Sequence, residues 1–342
     1  MDPLKLEDLK DESEPHYPFY GQATIDNGII SYNQLTHDVL NNSYGKPTIL
    51  IHSNNQNIVY LETPFYLKDG HGATSVLQCD GLNRINQMFI IASIDKVIKR
   101  KYSYNNKATK IELKNTIISL PVRNRDVDFD FMERFIIELE RERIYVFDTF
   151  LSTTGLKDYE ITFKEQQALD DLKNLKFKAF NLENLFGKST RGRRLKSADR
   201  ISGTLPFITA GETDEGVSAF IGNNVTVFSA NTTTIDMFGS AKYRNFKYGG
   251  DDHIAIVHTD KLPRYSSVFV TSAIHKSSYN GQFNYGRNFY AKDADALDIS
   301  LPVKDNKPDY ETMGTVISAI HKLVIKDVVL YIERKKKELN II

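Results

Sequence analysis

The sequence predicts an α+β protein made of two tandem, pseudo-repeated domains that are loop-rich and contain β-strands, each followed by a long α-helix. Two observations predict this fold class. Blocks of the first half recur in the second half at a nearly constant separation, and in both halves a region dense in Gly, Asn, Asp and Thr changes to a helical pattern after the same Ile-Ser-Leu-Pro-Val sequence. The 342 residues are enough for two or three domains, each with its own core.

Three blocks carry the repeat, and the register is constant within each of them. In the first block, Pro18-Phe19, Gly28 and Tyr32 match Pro206-Phe207, Gly216 and Phe220. In the second block, Leu82, Phe89, Ile94 and Lys96 match Leu262, Phe269, Ile274 and Lys276. In the third block, 118–122, Asp128, Met132, Ile136 and Ile144 match 299–303, Asp309, Met313, Ile317 and Ile325. The matched positions lie about half the chain apart, which is far longer than a solenoid repeat, so the pattern indicates two copies of one domain.

Short β-prone runs bounded by turn residues predict strands in both copies. These runs are residues 48–52, 88–94, 224–228, 254–258 and 267–272. Each copy is therefore expected to be a strand-rich globule with long loops.

A helix is predicted after each Ile-Ser-Leu-Pro-Val block, because the proline ends the extended run and an Asp that can cap a helix follows. The apolar spacing places these helices at 128–151 and 309–339. Either each helix covers its own globule, or the two helices pack on each other as a rigid spacer, and their lengths favour the spacer. The acidic segment 158–175 is also helix-prone and links the copies.

These patterns divide the chain into four parts. The first domain is expected over 1–122, the first spacer helix and the linker helix over 123–175, the second domain over 176–305, and the second spacer helix over 306–342.

Composition excludes several classes of protein. With 41% hydrophobic and 26% charged residues the chain is globular, and no apolar run has the length of a membrane span. The N-terminal stretch is acidic and lacks the apolar core of a secretory signal, so a cytoplasmic location is expected. Cys79 is the only cysteine, which excludes an intramolecular disulfide and a Cys-based zinc site and agrees with a reducing compartment.

The chain contains no phosphate loop, dinucleotide fingerprint, zinc-protease motif or nucleophile elbow, so we expect no cofactor and no catalytic activity. His253 and His258 are five residues apart, which does not place both on one face of a helix or strand, so we expect no metal there. Two acidic groups are interpreted as solvated turn residues and leave a metal-dependent nuclease as the weaker alternative. They are Asp251-Asp252 and the trio Asp293, Asp295 and Asp298.

The charge is uneven although it sums to zero. Residues 1–175 hold 20 basic and 26 acidic side chains, and 176–342 hold 24 and 18. Cations that cluster with aromatic, Asn and Gln residues are typical of surfaces that contact phosphates and base edges. The alternative is a solvated surface, and the segment 188–200 is expected to be a flexible loop. The candidate DNA-binding residues are Lys99, Arg100, Lys101, Lys107, Lys110, Lys188, Arg191, Arg193, Arg194, Lys196, Lys242, Arg244, Lys247 and Arg287.

Each copy opens with Pro-Phe, a Gly before Ile or Val and an aromatic residue, and closes with Ile-Ser-Leu-Pro-Val and a long helix. This tandem layout resembles that of the DNA-specificity subunits of restriction-modification systems. The resemblance extends from about Tyr17 to the C-terminus. Type I (HsdS-like) subunits share this layout. The compact size and the junction at 154–159 look like the specificity subunits of BcgI-like type IIB systems.

The resemblance implies that each globule is a target recognition domain that reads one half of a bipartite, asymmetric double-stranded DNA site. It implies that the two spacer helices pack antiparallel, fix the gap between the half-sites and dock methyltransferase subunits. Catalysis then belongs to the partners, which are the modification subunits and a restriction subunit or fused nuclease, and no membrane is involved. The first copy lacks a counterpart of 177–204, so we expect unequal DNA binding by the two halves. The alternative from another class is a non-catalytic protein-interaction repeat module.

Overall fold

The computed structural model describes residues 3–67 and 74–341, with side chains from Leu6 onward. The chain divides into two compact units. Unit 1 is Met1–Asp148 together with Arg334–Ile342, and unit 2 is Thr149–Glu333. Both units combine several small sheets with helices, so the fold class is α+β, as predicted.

The described residues of unit 1 form three sheets, with strand orders β2-β1-β5, β4-β3-β6 and β7-β8. Its strands are β1 Tyr17–Tyr20, β2 Ile29–Asn33, β3 Thr48–Ile51, β4 Ile58–Leu61, β5 Tyr66–Leu67, β6 Ser75–Leu77, β7 Val122–Arg123 and β8 Asp126–Val127. Its helices are α1 Gln87–Lys101 and α2 Lys110–Lys114, followed by α3 Phe129–Thr153, which continues into unit 2.

Unit 2 also contains three sheets, with strand orders β10-β17-β14-β15, β12-β11-β16-β13 and β19-β18-β9. Its strands are β9 Phe177–Asn181, β10 Thr190–Arg191, β11 Ser202–Ile208, β12 Val217–Ile221, β13 Val227–Phe228, β14 Thr232–Ile235, β15 Ala241–Arg244, β16 Tyr248–Gly250, β17 Ala255–Val257, β18 Asp298–Lys304 and β19 Lys307–Pro308. Its helices are α4 Phe163–Asp170, α5 Leu182–Phe186, α6 Arg264–Ser278 and α7 Ala291–Asp295, followed by α8 Tyr310–Glu338, which continues into unit 1.

Two of the five predicted strands are wrong, because residues 88–94 lie in α1 and residues 267–272 lie in α6. In α1 the buried residues Ile90, Ile94 and Ile98 recur every fourth position, which is a helical period. A short apolar run does not distinguish a strand from a buried helix, so the run alone favoured the wrong element. The predicted strand at 224–228 is shortened to β13.

Both long helices are confirmed, and each is capped by the predicted aspartate. The Asp128 carboxylate accepts a hydrogen bond from the backbone N–H of Phe131 at 2.8 Å, and the Asp309 carboxylate accepts one from that of Thr312 at 3.0 Å. A side-chain acceptor at this position satisfies an N–H group that has no partner within the helix.

The end of α8 packs on α3 inside unit 1. Lys335 forms an ion pair with Glu140 at 2.8 Å, and Lys336 forms one with Asp148 at 2.8 Å. The antiparallel spacer over the full length of the helices stays a prediction. No helix in the described part of the chain has an apolar stretch long enough to cross a membrane.

Candidate DNA interface

Both units build their first hairpin around the same left-handed turn. The turn lies at Asp26–Gly28 in unit 1 and at the matching position Asp214–Gly216 in unit 2. Its φ angles are 47°, 52° and 88° in unit 1 and 48°, 56° and 78° in unit 2. The flanking strands pair in the same register and carry a bulge at the same place. The blocks that match in sequence thus have the same backbone geometry, including a costly positive φ at two non-glycine residues.

The residue that follows the central strand differs between the units. In unit 2, Asp236 follows β14 and is 4% exposed, and its carboxylate accepts hydrogen bonds from the backbone N–H groups of Gly211, Phe238 and Ser240 at 3.3, 2.9 and 3.0 Å. In unit 1 the residue that follows the corresponding strand β3 is the fully buried His52. Neither ring nitrogen of this histidine has a hydrogen-bond partner among the described residues, and burial lowers its pKa.

Five predicted DNA-binding residues lie on one exposed stretch of unit 2, which we call the basic segment. They are Lys188, Arg191, Arg193, Arg194 and Lys196. None of the five forms an ion pair within the described part of the chain, so their cationic groups remain free for external anions. Such a group of cations is suited to phosphate contacts.

The prediction that the basic segment is flexible is wrong. Its strand β10 pairs with β17, and the backbone N–H of Arg193 donates to the Gly250 carbonyl at 3.0 Å. At Gly192 the two backbones approach so closely that a β carbon would lie 1.8 Å from the Gly250 carbonyl oxygen. The backbone of the basic segment is therefore held by a short strand and by this hydrogen bond, which lowers the entropy lost on binding.

Two of the three predicted cations around β15 are not available to a ligand. Arg244 is 2% exposed, and its Nε donates to the Thr234 hydroxyl at 2.9 Å; burial lowers its pKa. The side chain of Lys242 is 9% exposed and forms an ion pair with Glu212 at 3.1 Å. Both residues belong to a largely buried strand, which the spacing of cations and aromatic residues did not indicate. Lys247 is exposed.

The cations of unit 1 surround the C-terminal end of α1. Lys99, Arg100 and Lys101 form its last turn, where they also stabilise the helix dipole, and Lys107 and Lys110 follow in the next loop and in α2. All five are exposed. Lys99 is paired with Asp95 of the same helix at 2.9 Å. Arg287 of unit 2, the remaining candidate, is exposed on a hairpin between α6 and α7.

The acidic groups have structural partners. The interpretation of the trio as turn residues is wrong, because Asp293 and Asp295 belong to α7 and Asp298 begins β18. Asp251 accepts a hydrogen bond from the Leu195 N–H at 3.3 Å, and Asp295 accepts one from the Ser189 N–H at 2.7 Å. Both bonds hold the basic segment. His253 Nδ1 lies 3.1 Å from an Asp252 oxygen, so with Asp251 these residues form a group close enough to share a cation. That group lies on one turn near the surface and gives no evidence for a nuclease centre.

One buried charge cluster was missed by sequence reasoning. In unit 2, Glu165 of α4 is 6% exposed and accepts hydrogen bonds from the Ser318 hydroxyl at 2.6 Å and from Lys322 Nζ at 3.2 Å, both on α8. Burial raises its pKa, but the hydrogen bonds from Ser318, Thr162 and Lys322 outweigh this and lower the pKa to about 2. The only signal in the sequence is the capping box that Thr162 forms with Glu165.

No protein-family model matches the chain. The specificity subunit S.BcgI of a type II restriction enzyme from Heyndrickxia coagulans is 26% identical over 249 residues, which cover 71% of this chain and 69% of that protein. The S subunit of a type I restriction-modification system from M. genitalium has a TM-score of 0.56 at 13% identity, covering 98% of this chain and 88% of that one. The HsdS subunit from Thermoanaerobacter tengcongensis has a TM-score of 0.32 at 13% identity, with 94% and 85% covered.

The fold is therefore that of a type I S subunit. The predicted resemblance to restriction-modification specificity subunits is confirmed, because the similarity to S.BcgI extends over more than two thirds of both chains. This chain is a homologue of such a subunit.

Proposed function

We propose that the chain is the DNA-recognition subunit of a multisubunit restriction-modification enzyme. Each unit contacts one half of a bipartite, asymmetric site in double-stranded DNA, and the long helices dock methyltransferase subunits. The subunit itself needs no cofactor.

The main support is that the two units share the backbone geometry of their first hairpin but differ in their exposed side chains. The turns at Asp26–Gly28 and Asp214–Gly216 and the strands around them match, whereas the cations lie on a helix end in unit 1 and on the basic segment in unit 2. Two units with the same hairpin backbone and different exposed side chains are expected to recognise two different half-sites.

The basic segment supports DNA as the ligand of unit 2. Its five cations are exposed and are held by a strand pair and by the carboxylate of Asp251. Each phosphate that such a cation neutralises adds about 0.9 to the slope of log K against log salt. The chain as a whole has zero net charge, so we expect the isolated subunit to bind DNA weakly and the assembled complex to bind it tightly.

The exposed face of α3 supports a protein partner. Within unit 1 this helix presents five large apolar side chains that are between 38% and 54% exposed. They are Phe131, Phe135, Leu139, Val146 and Phe147. A contiguous apolar stripe of this kind is typical of an interface, and a methyltransferase subunit is the partner that the relatives' systems suggest.

The test is to co-express the chain with the methyltransferase encoded beside it and to map methylated bases across the host genome. We expect a bipartite motif with a fixed gap that disappears when this chain is omitted. A stable complex with no motif would contradict the proposal and would support the protein-interaction module instead.

A paired charge test locates the phosphate contacts. In the complex, the double variant Arg193→Ala with Arg194→Ala is expected to reduce the slope of log K against log salt by about 2. The control is Lys173→Ala with Lys176→Ala, which removes the same charge from exposed positions outside the basic segment. The control is expected to leave the slope unchanged. Equal slopes for the two double variants would remove the basic segment from the DNA interface.

A further inference from the structure

Each unit carries a narrow hairpin with an exposed tyrosine at its tip. In unit 1, Ser103 and Asn106 exchange backbone hydrogen bonds of 2.9 and 3.1 Å around Tyr104. In unit 2, Asn284 and Arg287 exchange bonds of 3.0 and 3.0 Å around Tyr285. The two tips are thus closed in the same way, with two residues in the loop.

The tips occupy the same place in both units. The register that matches Asp128 with Asp309 also matches Tyr104 with Tyr285, and it superposes the short helices that follow the tips, α2 and α7. Both tyrosines are largely exposed, Tyr104 at 73% and Tyr285 at 86%. A large aromatic side chain in solvent at the equivalent place in both copies indicates a common ligand, whereas a single exposed aromatic residue would be unremarkable.

The tip of unit 2 is preorganised. The side-chain oxygen of Asn284 accepts a hydrogen bond from the Gly286 N–H at 2.8 Å, and the Tyr285 ring packs edge-on against Phe238 with 5.2 Å between centroids. Phe283 and Phe289 pack against each other at the base, 4.9 Å apart. A rigid tip loses little conformational entropy on binding.

Cations flank the hairpins. Lys107 Nζ lies 5.9 Å from the centre of the Tyr104 ring, and the Arg287 guanidinium lies 5.2 Å from that of Phe283. Within the described part of the chain no carboxylate pairs with Arg287. A concave site of about 410 Å³ adjoins this arginine and is lined by Tyr285, Asn288 and Lys292. The amide oxygen of Asn288 is buried and has no hydrogen-bond partner among the described residues.

These features fit the groove of a DNA duplex. The major groove is about 12 Å wide and admits a two-stranded ribbon, and an arginine there donates two hydrogen bonds to guanine. An aromatic ring beside a cation adds apolar contact with the bases while the cation offsets the phosphate charge.

We propose that the two tyrosine-tipped hairpins are the elements that contact bases, Tyr104 in one half-site and Tyr285 in the other, and that Arg287 selects a guanine in the half-site of unit 2. This rests on the proposed function and adds to it the residues that read the sequence. The residue matching Arg287 in unit 1 is Asn106, whose amide already donates to the Lys101 carbonyl at 3.0 Å, so the two tips differ in the base they prefer.

The test uses the assembled complex of this chain with its methyltransferase. Tyr104→Ala and Tyr285→Ala are each expected to weaken binding to the cognate duplex roughly 10- to 100-fold, with relaxed methylation in one half-site only and in a different half for each variant. Tyr→Phe at either position is expected to retain most of the affinity. Tyr44→Ala is the control, because Tyr44 is 90% exposed and lies outside both tips.

Arg287→Gln is expected to act on one G·C pair of the half-site that Tyr285→Ala affects. At that pair the preference for G·C over the other base pairs is expected to fall roughly 10- to 100-fold. A bipartite motif that persists unchanged in the tip variants would overturn this inference and leave the proposed function standing. If the wild-type complex methylates without any motif, the proposed function fails and this inference with it. Unfolding midpoints that match the wild type would show that the exposed tips act on DNA and not on folding.

Discussion

The same Ile-Ser-Leu-Pro-Val sequence is a buried central strand in unit 2 and a partly exposed stretch in unit 1. In unit 2 it forms most of β18, which pairs with β9 along its length. Ile299 and Leu301 are fully buried there. In unit 1, Ile118 and Leu120 are half-buried, and among the described residues only the final Val122 belongs to a strand, the short β7.

The difference lies in the strand that pairs with this sequence. In unit 2, β9 of the segment 177–204 pairs with residues 298–302, whereas among the described residues of unit 1 no strand pairs with 118–121. A strand is stabilised by its cross-strand neighbour, so the same sequence has different structures when that neighbour is missing. The segment 177–204 also contains the basic segment, so β9 and these exposed cations both lie in unit 2.

The largest expected effect is at Ile299, the buried member of the matched pair Ile118 and Ile299. Ile299→Ala is expected to destabilise unit 2 by about 2–5 kcal/mol, because it leaves a cavity in a closed core. Ile118→Ala, its matched control, is expected to cost about 1 kcal/mol, because its side chain is half-exposed. Hydrogen exchange of the β9 and β18 amides, together with denaturant unfolding, measures both. Equal losses would mean that Ile118 is buried by contacts beyond this chain.

A second difference concerns the long helices. In unit 2, Lys322 of α8 has a 12% exposed side chain and joins Glu165 and Asp158 of the linker. Arg141, the matching residue of α3, makes an exposed pair with Glu138 at 3.6 Å. A buried charge without its partner is expensive, whereas an exposed pair contributes little.

Glu165→Gln is therefore expected to destabilise unit 2 by about 2–3 kcal/mol at neutral pH, and Glu138→Gln to cost less than about 0.5 kcal/mol. The pKa of Glu165 is about 2 in the folded protein, below its usual 4.5, so its stabilisation is present above pH 4.5 and is lost as the pH falls toward 2. Measuring the free energy of unfolding as the pH is lowered checks the direction of this pKa shift. A wild-type protein with the same acid profile as the variant would contradict the assigned pKa.

The third expected effect concerns Asp236 of unit 2, which follows the central strand where unit 1 has His52. Asp236→Ala is expected to cost about 1–3 kcal/mol, because it leaves the backbone N–H groups of Phe238 and Ser240 without their acceptor in a buried site. The opening free energies of these two amides in hydrogen exchange report the loss directly. Protection that survives in the variant would show that water replaces the carboxylate.

The smallest effect is expected at His52. Burial places its pKa below the usual 6.5, so the unfolded state binds more protons and the stability of unit 1 is complete above pH 6.5 and declines as the pH falls below it. His52→Leu is expected to remove this decline at little cost near neutral pH, because neither ring nitrogen has a hydrogen-bond partner in the part of the chain that the structure describes. His37→Gln is the control, because it removes an exposed histidine from the same unit.

Much of the fold follows from patterns that are local in sequence. The helices α3 and α8 were predicted because their apolar period and their capping aspartates lie within a few residues of each other. The runs in α1 and α6 were mistaken for strands, because a short apolar-rich run fits either element until the burial of every fourth residue is known. The exposed cations were found by their density, but density did not separate Lys247 from its buried neighbour Arg244.

The sequence by itself determined an α+β chain with recurring sequence blocks, two long helices and no catalytic motif, because the apolar period and the capping residues are encoded in neighbouring residues. Only the tertiary structure decided which copy acquires the extra strand, where the basic segment is fixed, and that Tyr104 and Tyr285 stand at matching tips. Those outcomes depend on contacts between residues far apart in the chain, and the cost or gain of such a contact is set by burial and by the partner that the fold supplies.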